Sequence, residues 1–318
     1  MVRCLIAALA LALAAGAAAQ GSYPGGPVKL VVGFPPGGAN DILGRLVGAK
    51  LQDAWGQPVL VENKPGANAI IATEFVAKSA PDGHTLLVGA SGAMTFNPGL
   101  YDKLPYDPVR DFAPVTLLGS FPLVLAVHPS LPVQSVKELI AHARDAGGKL
   151  NYAAGSTPFQ LAAELFKMQA GVSIAHVPYK GSAAAVNSVM ANDTQLTFVD
   201  APPVVGQIRG GRLRGLAVTS STRAASLPEL PTMAEAGMAD FEVVLWASLF
   251  APAGTPRPVI DRIQQQVAKT LQMADVRERL LGLGITPVGN TPDELSAILK
   301  ADLEKWTRVA KSAGVKAQ

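Results

Sequence analysis

The chain has 318 residues, of which 49% are hydrophobic and 16% are charged, and its formal net charge is +3. This composition is typical of a well-buried globular protein and excludes a disordered or coiled-coil chain. The small positive charge gives no indication of nucleic-acid binding. A mature chain of roughly 300 residues exceeds what one hydrophobic core usually organises, so two lobes are expected.

The first 19 residues have the pattern of a secretory signal peptide. Arg3 precedes an apolar run from Cys4 to Ala15, and three alanines come directly before Gln20, which predicts cleavage near Ala19. The run is too short to span a membrane, so we expect an exported periplasmic protein that does not insert into the membrane. Cys4 is the only cysteine, so the mature chain is predicted to have no disulfide and no cysteine-based metal site.

Short apolar runs alternate with helical periodicity along the chain, which predicts α/β layers with largely parallel sheets. A change of lobe is expected near Leu118–Ala126 and again near Phe241–Ala247. The first lobe would then comprise residues 20–122 and 246–318, and the second lobe residues 123–245, with the two crossings as a hinge. The predicted strands are Val28–Phe34, Val59–Glu62, Thr85–Gly89, Leu123–His128, Asn151–Ala153, Ile174–Pro178, Gln195–Val199, Leu213–Thr219 and Val243–Phe250.

The segment Gly33–Asp41 lies between the first predicted strand and a helix predicted to begin at Asp41. Its glycines permit a tight turn and a close approach of the backbone to a ligand, and its prolines fix the loop in advance. Free N–H groups at the start of a helix attract negative charge. The segment therefore predicts a pre-formed anion site, although glycine-rich turns are also common as plain connections.

Other segments that follow predicted strands also offer hydroxyls, small side chains and free amides. They are Gly89–Asn97, Gly155–Gln160, Tyr179–Gly181 and Asp200–Pro203. Because ligands bind outside the carboxyl ends of strands in open α/β sheets, these segments are candidates for lining one cleft. A structural interpretation stays open for the last three segments: helix capping by Ser156, Thr157, Gln160 and Asp200, and a solvated turn at Lys180.

Catalytic and cofactor motifs do not stand out in the sequence. The four histidines are scattered without metal-ligand spacing, and the carboxylates are isolated. The nucleophile elbow and the common phosphate-binding loops are missing as well. We therefore predict no catalytic residues, no metal and no cofactor, although folding could assemble an acid/base pair from distant carboxylates.

The chain closely resembles the substrate-binding proteins of tripartite tricarboxylate transporters, the Bug or TctC-type family. The resemblance extends over almost the whole mature sequence and rests on many ordered matches. The matching segments are Lys29–Asp41, Val61–Gly66, Ala80–Leu87, Leu104–Val115, Glu164–Lys167, His176–Gly181, Leu213–Ser220 and Phe250–Pro256.

The resemblance implies a type II periplasmic binding protein, in which two doubly wound α/β lobes close on an organic acid. It implies that the first-lobe loops hold one carboxylate, partly through water and without an arginine, while second-lobe loops select the rest of the ligand. Asp41 is expected to fix its loop. The predicted ligand-binding residues are Phe34, Pro36, Gly38, Ala39, Asn40, Asp41, Ser91, Ala93, Thr95, Ser156, Thr157, Gln160, Tyr179 and Asp200.

The chain departs from the family pattern at two places. The family often has a histidine where Gln160 stands, and more glycine where Ala67–Ala69 stands. A neutral glutamine both donates and accepts hydrogen bonds, so the sequence does not predict the charge or polarity of the far end of the ligand.

The predicted function is that of a monomeric periplasmic protein that captures a small carboxylate and presents it to a membrane transporter. Two alternatives remain at this stage. One is a ligand-loaded sensor that docks on a receptor, and the other is an enzyme on the same fold, such as a dehydratase.

Overall fold

The computed structural model describes residues 23–313, and the predicted signal peptide lies outside this range. The described part has the α/β fold that the sequence predicts. The prediction of largely parallel sheets was wrong, because five of the nine strand pairings in this part are antiparallel, most of them made by the long strand that joins the two halves of the sheet. Its strands are β1 Val28–Val32, β2 Val59–Asn63, β3 Thr85–Ala90, β4 Phe112–Val127, β5 Asn151–Ala154, β6 Ala175–Pro178, β7 Leu196–Asp200, β8 Arg214–Val218, β9 Val244–Pro252 and β10 Thr286–Pro287.

Helices occupy most of the connections between these strands. A short 3₁₀ turn at Ala67–Ala69 and a π-helical turn at Gly92–Phe96 occur as well. The α-helices are α1 Ala39–Trp55, α2 Ile70–Ala77, α3 Asn97–Leu100, α4 Val136–Asp145, α5 Thr157–Ala170, α6 Ser182–Met190, α7 Ala201–Arg209, α8 Arg257–Gln272, α9 Ala274–Gly282 and α10 Pro292–Ala313.

The described strands form one continuous sheet in the order β2-β1-β3-β9-β4-β7-β5-β6, with β8 and β10 also paired to β4. The long strand β4 joins the two halves of this sheet. Its residues from Phe112 to Pro122 pair with β9, and its residues from Leu123 onward pair with β7 and β8. The chain returns at the start of β9, where Val244 pairs with Pro122. Both crossings fall within the segments predicted for a change of lobe, and the lobe boundaries themselves stay a prediction.

The strand β4 begins at Phe112, so its predicted start at Leu123 was wrong. The additional residues include Pro114 and Gly119, which normally argue against a central strand. The register between β4 and β9 shifts beside both of these residues. Such bulges accommodate a residue that cannot complete the regular ladder.

Helices cover both faces of the first half of the sheet. Alternate residues of β1 point to opposite faces, and the apolar residues on each face are buried against a helix. Leu30 and Val32 belong to a buried cluster that contains Leu43 of α1, whereas Val31 belongs to a second cluster that contains Val76 of α2. This packing fixes the start of α1 at the carboxyl end of β1. Within residues 23–313 no helix combines the length and the apolar character needed to cross a bilayer.

Candidate functional site

A cavity of about 30 Å³ lies between the two halves of the sheet, at the carboxyl ends of β1, β3, β5 and β7. This volume is room for about two water molecules. The lining combines residues from both halves. These residues are Phe34, Pro35, Gly38, Asn40, Asp41, Ala90, Ser91, Gly92, Phe121, Gly155, Ser156, Pro158, Phe159, Gly181, Ser182, Asp200, Leu245 and Trp246.

Five helical segments begin at this cavity. The N-cap residues of α1, the π-helical turn, α5, α6 and α7 all line it, and none of their side chains makes a capping hydrogen bond. Each helix start presents backbone N–H groups that have no acceptor within their own helix, and it carries a partial positive charge. The N-cap residues are Gly38, Ser91, Ser156, Gly181 and Asp200.

The lining that the described residues form contains no lysine, arginine or histidine. Its positive potential therefore comes from backbone N–H groups and helix dipoles. Such groups hold an anion at a fixed position and without a long flexible side chain. The arrangement is suited to binding a carboxylate.

Asp200 already places a carboxylate in this environment. Its Oδ2 accepts a 2.6 Å hydrogen bond from the backbone N–H of Ala39, in the first turn of α1. The residue is 2% exposed, and its Oδ1 has no hydrogen-bond partner among the described residues. Burial raises the pKa of Asp200, while the Ser182 hydroxyl and the Ala39 N–H act in the opposite direction. The Asp200 side chain does not cap its own helix α7.

Asp41 holds the loop that precedes α1. Its Oδ2 accepts a 3.0 Å hydrogen bond from the backbone N–H of Gly37, and its Oδ1 accepts a 2.9 Å hydrogen bond from Asn63 Nδ2. Arg45 forms an ion pair with the same Oδ1 at 2.9 Å. Asn63 also donates to the carbonyl oxygen of Phe34 at 2.9 Å. The helix begins at Ala39 with Gly38 as its N-cap, so neither Asn40 nor Asp41 caps it.

Three serines and one asparagine line the cavity, and two of the serines and the asparagine have side chains that are free to bond a guest. Ser91 Oγ accepts a 3.3 Å hydrogen bond from the backbone N–H of Trp246, which leaves its own proton available to donate. The hydroxyl of Ser156 makes no capping bond to α5, and Asn40 Oδ1 is buried without a hydrogen-bond partner. These groups are positioned to contact a small polar guest.

The two sides of the cavity are in direct contact. A Cβ atom added to Gly38 would lie 3.0 Å from Ser182 Oγ, and one added to Gly92 would lie 2.9 Å from Pro158 Cγ. Glycine at these positions allows the backbone of one half to approach the other half closely. The structure therefore has a closed cleft.

Half of the predicted ligand-binding residues line the cavity, and the other half do not. Thr95 is fully buried, and its hydroxyl donates to the backbone carbonyl of Ser91 at 2.8 Å. The carbonyl of Ala93 accepts a hydrogen bond from Tyr106. The predicted residues outside the lining are Pro36, Ala39, Ala93, Thr95, Thr157, Gln160 and Tyr179.

The sequence did not predict that large apolar side chains and the first residue of α6 line the cavity. Trp246 lies inside a segment predicted for a change of lobe, and its indole Nε1 donates to Asp302 at 2.7 Å. Ser182 follows the Tyr179–Gly181 turn directly, so a capping position was readable there. Phe121, Phe159 and Leu245 carried no distinguishing signal.

The described residues contain no group of three or more histidine, cysteine, aspartate or glutamate side chains arranged to hold a metal ion. The acidic residues of the cavity are Asp41 and Asp200. Asp41 is engaged by Arg45 and Asn63, as described above.

Residues 43–315 match the family model of the tripartite tricarboxylate transporter family receptor. The chain belongs to this family. The family is one of receptors, and the resemblance found in the sequence is thereby confirmed.

Individual relatives agree with this assignment. The chain is 37% identical over 298 residues to the protein BugT of Bordetella pertussis, which covers 93% of this chain and 91% of BugT. A solved R. palustris protein with adipate has a TM-score of 0.90 and 36% identity, covering 93% of this chain and 99% of that one. MatC from Rhodopseudomonas palustris with bound malate has a TM-score of 0.85 and 31% identity, covering 91% of this receptor and 100% of MatC.

Proposed function

We propose that this protein is a monomeric periplasmic receptor that captures a small organic acid between two lobes and delivers it to a tripartite tricarboxylate-type transporter. The observation that carries the proposal is the convergence of five helical N-termini on one cavity whose described lining has no basic side chain. An anion is the guest that such a cavity stabilises.

The bond between Ala39 and Asp200 supports a carboxylate as that anion. A carboxylate of the chain itself accepts a hydrogen bond at the start of α1, so the backbone there is oriented to donate to this group. The structures with adipate and malate support the same ligand class. We expect a ligand carboxylate to contact the N–H groups of the first-lobe loops and the hydroxyls of Ser91 and Ser156.

Binding would require the lobes to separate, because a cavity of about 30 Å³ is too small for an organic acid of several carbons. The proposed lobes are residues 20–122 with 246–318, and residues 123–245. The two crossings, in β4 and at the start of β9, would form the hinge. Closure over the acid would then generate the form that the transporter recognises.

A thermal-shift screen of mono-, di- and tricarboxylates tests acid binding. The protein is first unfolded and refolded to remove any carried-over ligand. At a hundredfold excess over its Kd, a ligand stabilises the folded state by about 2.7 kcal/mol, which raises the melting temperature by several degrees. A matched neutral amide of each acid serves as the control. If no acid raises the melting temperature, the proposal is wrong.

Delivery and location are tested separately in cells. We expect the protein in the periplasmic fraction, with a mature N-terminus at Gln20 as judged from its intact mass. We also expect that deleting its gene abolishes uptake of the radiolabelled acid identified in the screen. Unchanged uptake in the deletion strain would contradict the transport role while leaving acid binding intact.

A further inference from the structure

One segment that resembles the family lies outside the cavity. The lining that the described residues form includes no residue of Leu104–Val115. Within this segment Tyr106 is 4% exposed, and its hydroxyl donates a 2.7 Å hydrogen bond to the backbone carbonyl of Ala93. Ala93 belongs to the π-helical turn Gly92–Phe96. Tyr106 therefore contacts, from outside the cavity, an element that begins at the cavity.

The π-helical turn places polar groups at the cavity. Ser91 and Gly92 line the cavity at the start of the turn. The backbone N–H of Asn97 donates to the carbonyl of Gly92, five residues earlier, so the turn is wider than an α-helical turn by one residue. Such a turn interrupts the regular ladder of helical hydrogen bonds. Two hydroxyls donate to its backbone carbonyls, that of Thr95 from within the turn and that of Tyr106 from outside.

Tyr106 contacts the end of the turn as well. The amide of Asn97 is fully buried, and its Nδ2 donates to the Asn68 carbonyl at 3.0 Å and to the Tyr106 hydroxyl at 3.4 Å. A phenol hydroxyl can donate and accept at the same time. The hydroxyl of Tyr106 therefore joins the interior of the turn, at Ala93, to the residue that follows the turn.

Tyr106 is itself held in place. Its ring lies edge-on to that of Phe112, with 6.3 Å between the ring centroids. The next residue, Asp107, accepts 2.9 Å hydrogen bonds from two backbone N–H groups through its Oδ1, and its own N–H donates to Asp111 Oδ2 at 2.7 Å. Such bonds between an aspartate and nearby backbone groups fix a turn. The hydroxyl of Tyr106 therefore acts from a fixed position.

We propose that Tyr106 is a positioning residue of the acid-binding site: its hydroxyl holds the π-helical turn in the shape that brings the Ser91 hydroxyl and the Gly92 N–H to the ligand. This inference rests on the function proposed above. Without the hydroxyl, the buried carbonyl of Ala93 loses this donor, which favours relaxation of the turn toward α-helical bonding. Relaxation would move the start of the turn, and groups that bind a ligand have to stay within about 0.5 Å of their productive positions.

The test compares two tyrosine hydroxyls. Tyr106→Phe removes the hydroxyl and keeps the ring that packs against Phe112, so we expect the variant to fold. The matched control is Tyr23→Phe, because Tyr23 also donates a 2.7 Å hydrogen bond to a backbone carbonyl, that of Gly83. Gly83 precedes β3, whereas the cavity lies at the carboxyl end of that strand. The control therefore removes the same kind of bond at a distance from the cavity.

Thermal unfolding and calorimetric titration are measured for the natural protein and both variants, with the acid that gives the largest shift in the thermal-shift screen. We expect both variants to lose a few degrees of melting temperature. Tyr106→Phe should also weaken acid binding about tenfold, whereas Tyr23→Phe should keep the affinity within about twofold of the natural value. Unchanged affinity in Tyr106→Phe, or an equal loss of affinity in both variants, would overturn the proposal.

Backbone amide signals of the ligand-free proteins separate positioning from a general loss of stability. In heteronuclear NMR spectra, Tyr106→Phe should move the signals of Ser91 and Gly92, and Tyr23→Phe should leave them in place. Unmoved signals in Tyr106→Phe would overturn the positioning role and leave acid binding intact. Failure of every acid to bind the natural protein would overturn the proposed function, and the positioning role with it.

Discussion

The backbone N–H of Ala39 and the carboxylate of Asp200 are separated by 161 positions in the sequence and joined by a 2.6 Å hydrogen bond. Ala39 begins α1 after the first strand, and Asp200 ends β7 in the other half of the sheet. The bond therefore connects the two sides of the cleft. It is also the kind of contact, a carboxylate on a helix N-terminus, that we propose for the ligand.

Asp200 should make stability depend on pH. Burial raises its pKa above the ordinary value of 3.8 in the folded state, so the folded protein binds this proton more tightly than the unfolded chain does. As the pH rises from 3.8 through the raised pKa, the natural protein should lose free energy of unfolding relative to Asp200→Asn. Below pH 3.8 that loss should be absent.

Denaturant unfolding of both proteins at a series of pH values between 3.5 and 7.5 measures this difference. The variant keeps an oxygen that can accept from Ala39, so it isolates the charge. A difference in unfolding free energy that does not change with pH would show that Asp200 titrates normally in the folded protein.

Replacement by alanine should lower stability at one N-cap serine and ligand affinity at another. Ser135 accepts a 3.2 Å hydrogen bond from the backbone N–H of Glu138 and caps α4, so Ser135→Ala should lower the free energy of unfolding by about 1 kcal/mol. Ser156 makes no capping bond and lines the cavity. Ser156→Ala should leave stability nearly unchanged and weaken acid binding about two- to tenfold.

Urea unfolding measures the free energy of unfolding of each variant, and calorimetric titration measures its affinity for the acid. An equal loss of stability in the two variants would show that Ser156 caps α5, which is the structural alternative given by the sequence. Unchanged affinity in Ser156→Ala would show that the Ser156 hydroxyl does not contribute to acid binding.

Closure should be sensitive to a single methyl group at Gly92. A Cβ atom there would lie 2.9 Å from Pro158 Cγ, on a rigid ring across the cleft. Overpacking of this kind costs about 1–3 kcal/mol in the closed form, so Gly92→Ala should weaken acid binding about tenfold or more. The radius of gyration from small-angle X-ray scattering should increase for the ligand-free variant.

The matched control is Gly282→Ala at the exposed end of α9, where an added Cβ meets nothing within 4 Å. It should bind acid with the affinity of the natural protein. If Gly92→Ala matches this control in both affinity and radius of gyration, the contact between Gly92 and Pro158 does not limit closure.

Asn63 should stabilise the loop before α1. It donates to the Phe34 carbonyl and to the Asp41 carboxylate, both at 2.9 Å. Replacement by alanine leaves these acceptors without that donor and should lower the free energy of unfolding by about 1–3 kcal/mol. The exposed Asn187 on α6 provides the control, because Asn187→Ala should change stability by less than about 0.5 kcal/mol. Comparable losses in the two variants would mean that Asn63 does not hold the loop.

The sequence predicted the parts of this site that depend on neighbouring residues. The strand, the tight turn and the helix start around Gly38 follow one another along the chain, so their order alone indicated an anion site. The contact between Ala39 and Asp200 depends on the packing of two distant segments, and no local pattern encodes it. Thr95 shows that a local pattern also misleads. The sequence predicted that its hydroxyl binds the ligand, but the hydroxyl donates to the carbonyl of Ser91 one helical turn earlier.

The segment Pro98–Pro114 is predicted to be a surface excursion from its prolines, tyrosines and charges, and in residues 101–110 most side chains are exposed or half-buried while one tyrosine is buried. In the structure Tyr106 is 4% exposed and donates a 2.7 Å hydrogen bond to the carbonyl of Ala93, and burial raises its pKa to about 12. Phe112 then enters the sheet through a bulged register that sequence periodicity does not reveal.

The most direct test of the anion site is to titrate the refolded, isotope-labelled protein with the acid that binds best in the thermal-shift screen, and separately with its neutral primary amide. Backbone amide signals are followed by heteronuclear NMR. We predict that the acid, and not the amide, produces its largest chemical-shift changes at the N–H groups of Asn40, Gly92 and Ser182. Largest changes outside the helix starts that line the cavity, or equal changes with the neutral amide, would contradict carboxylate capture by these N-termini.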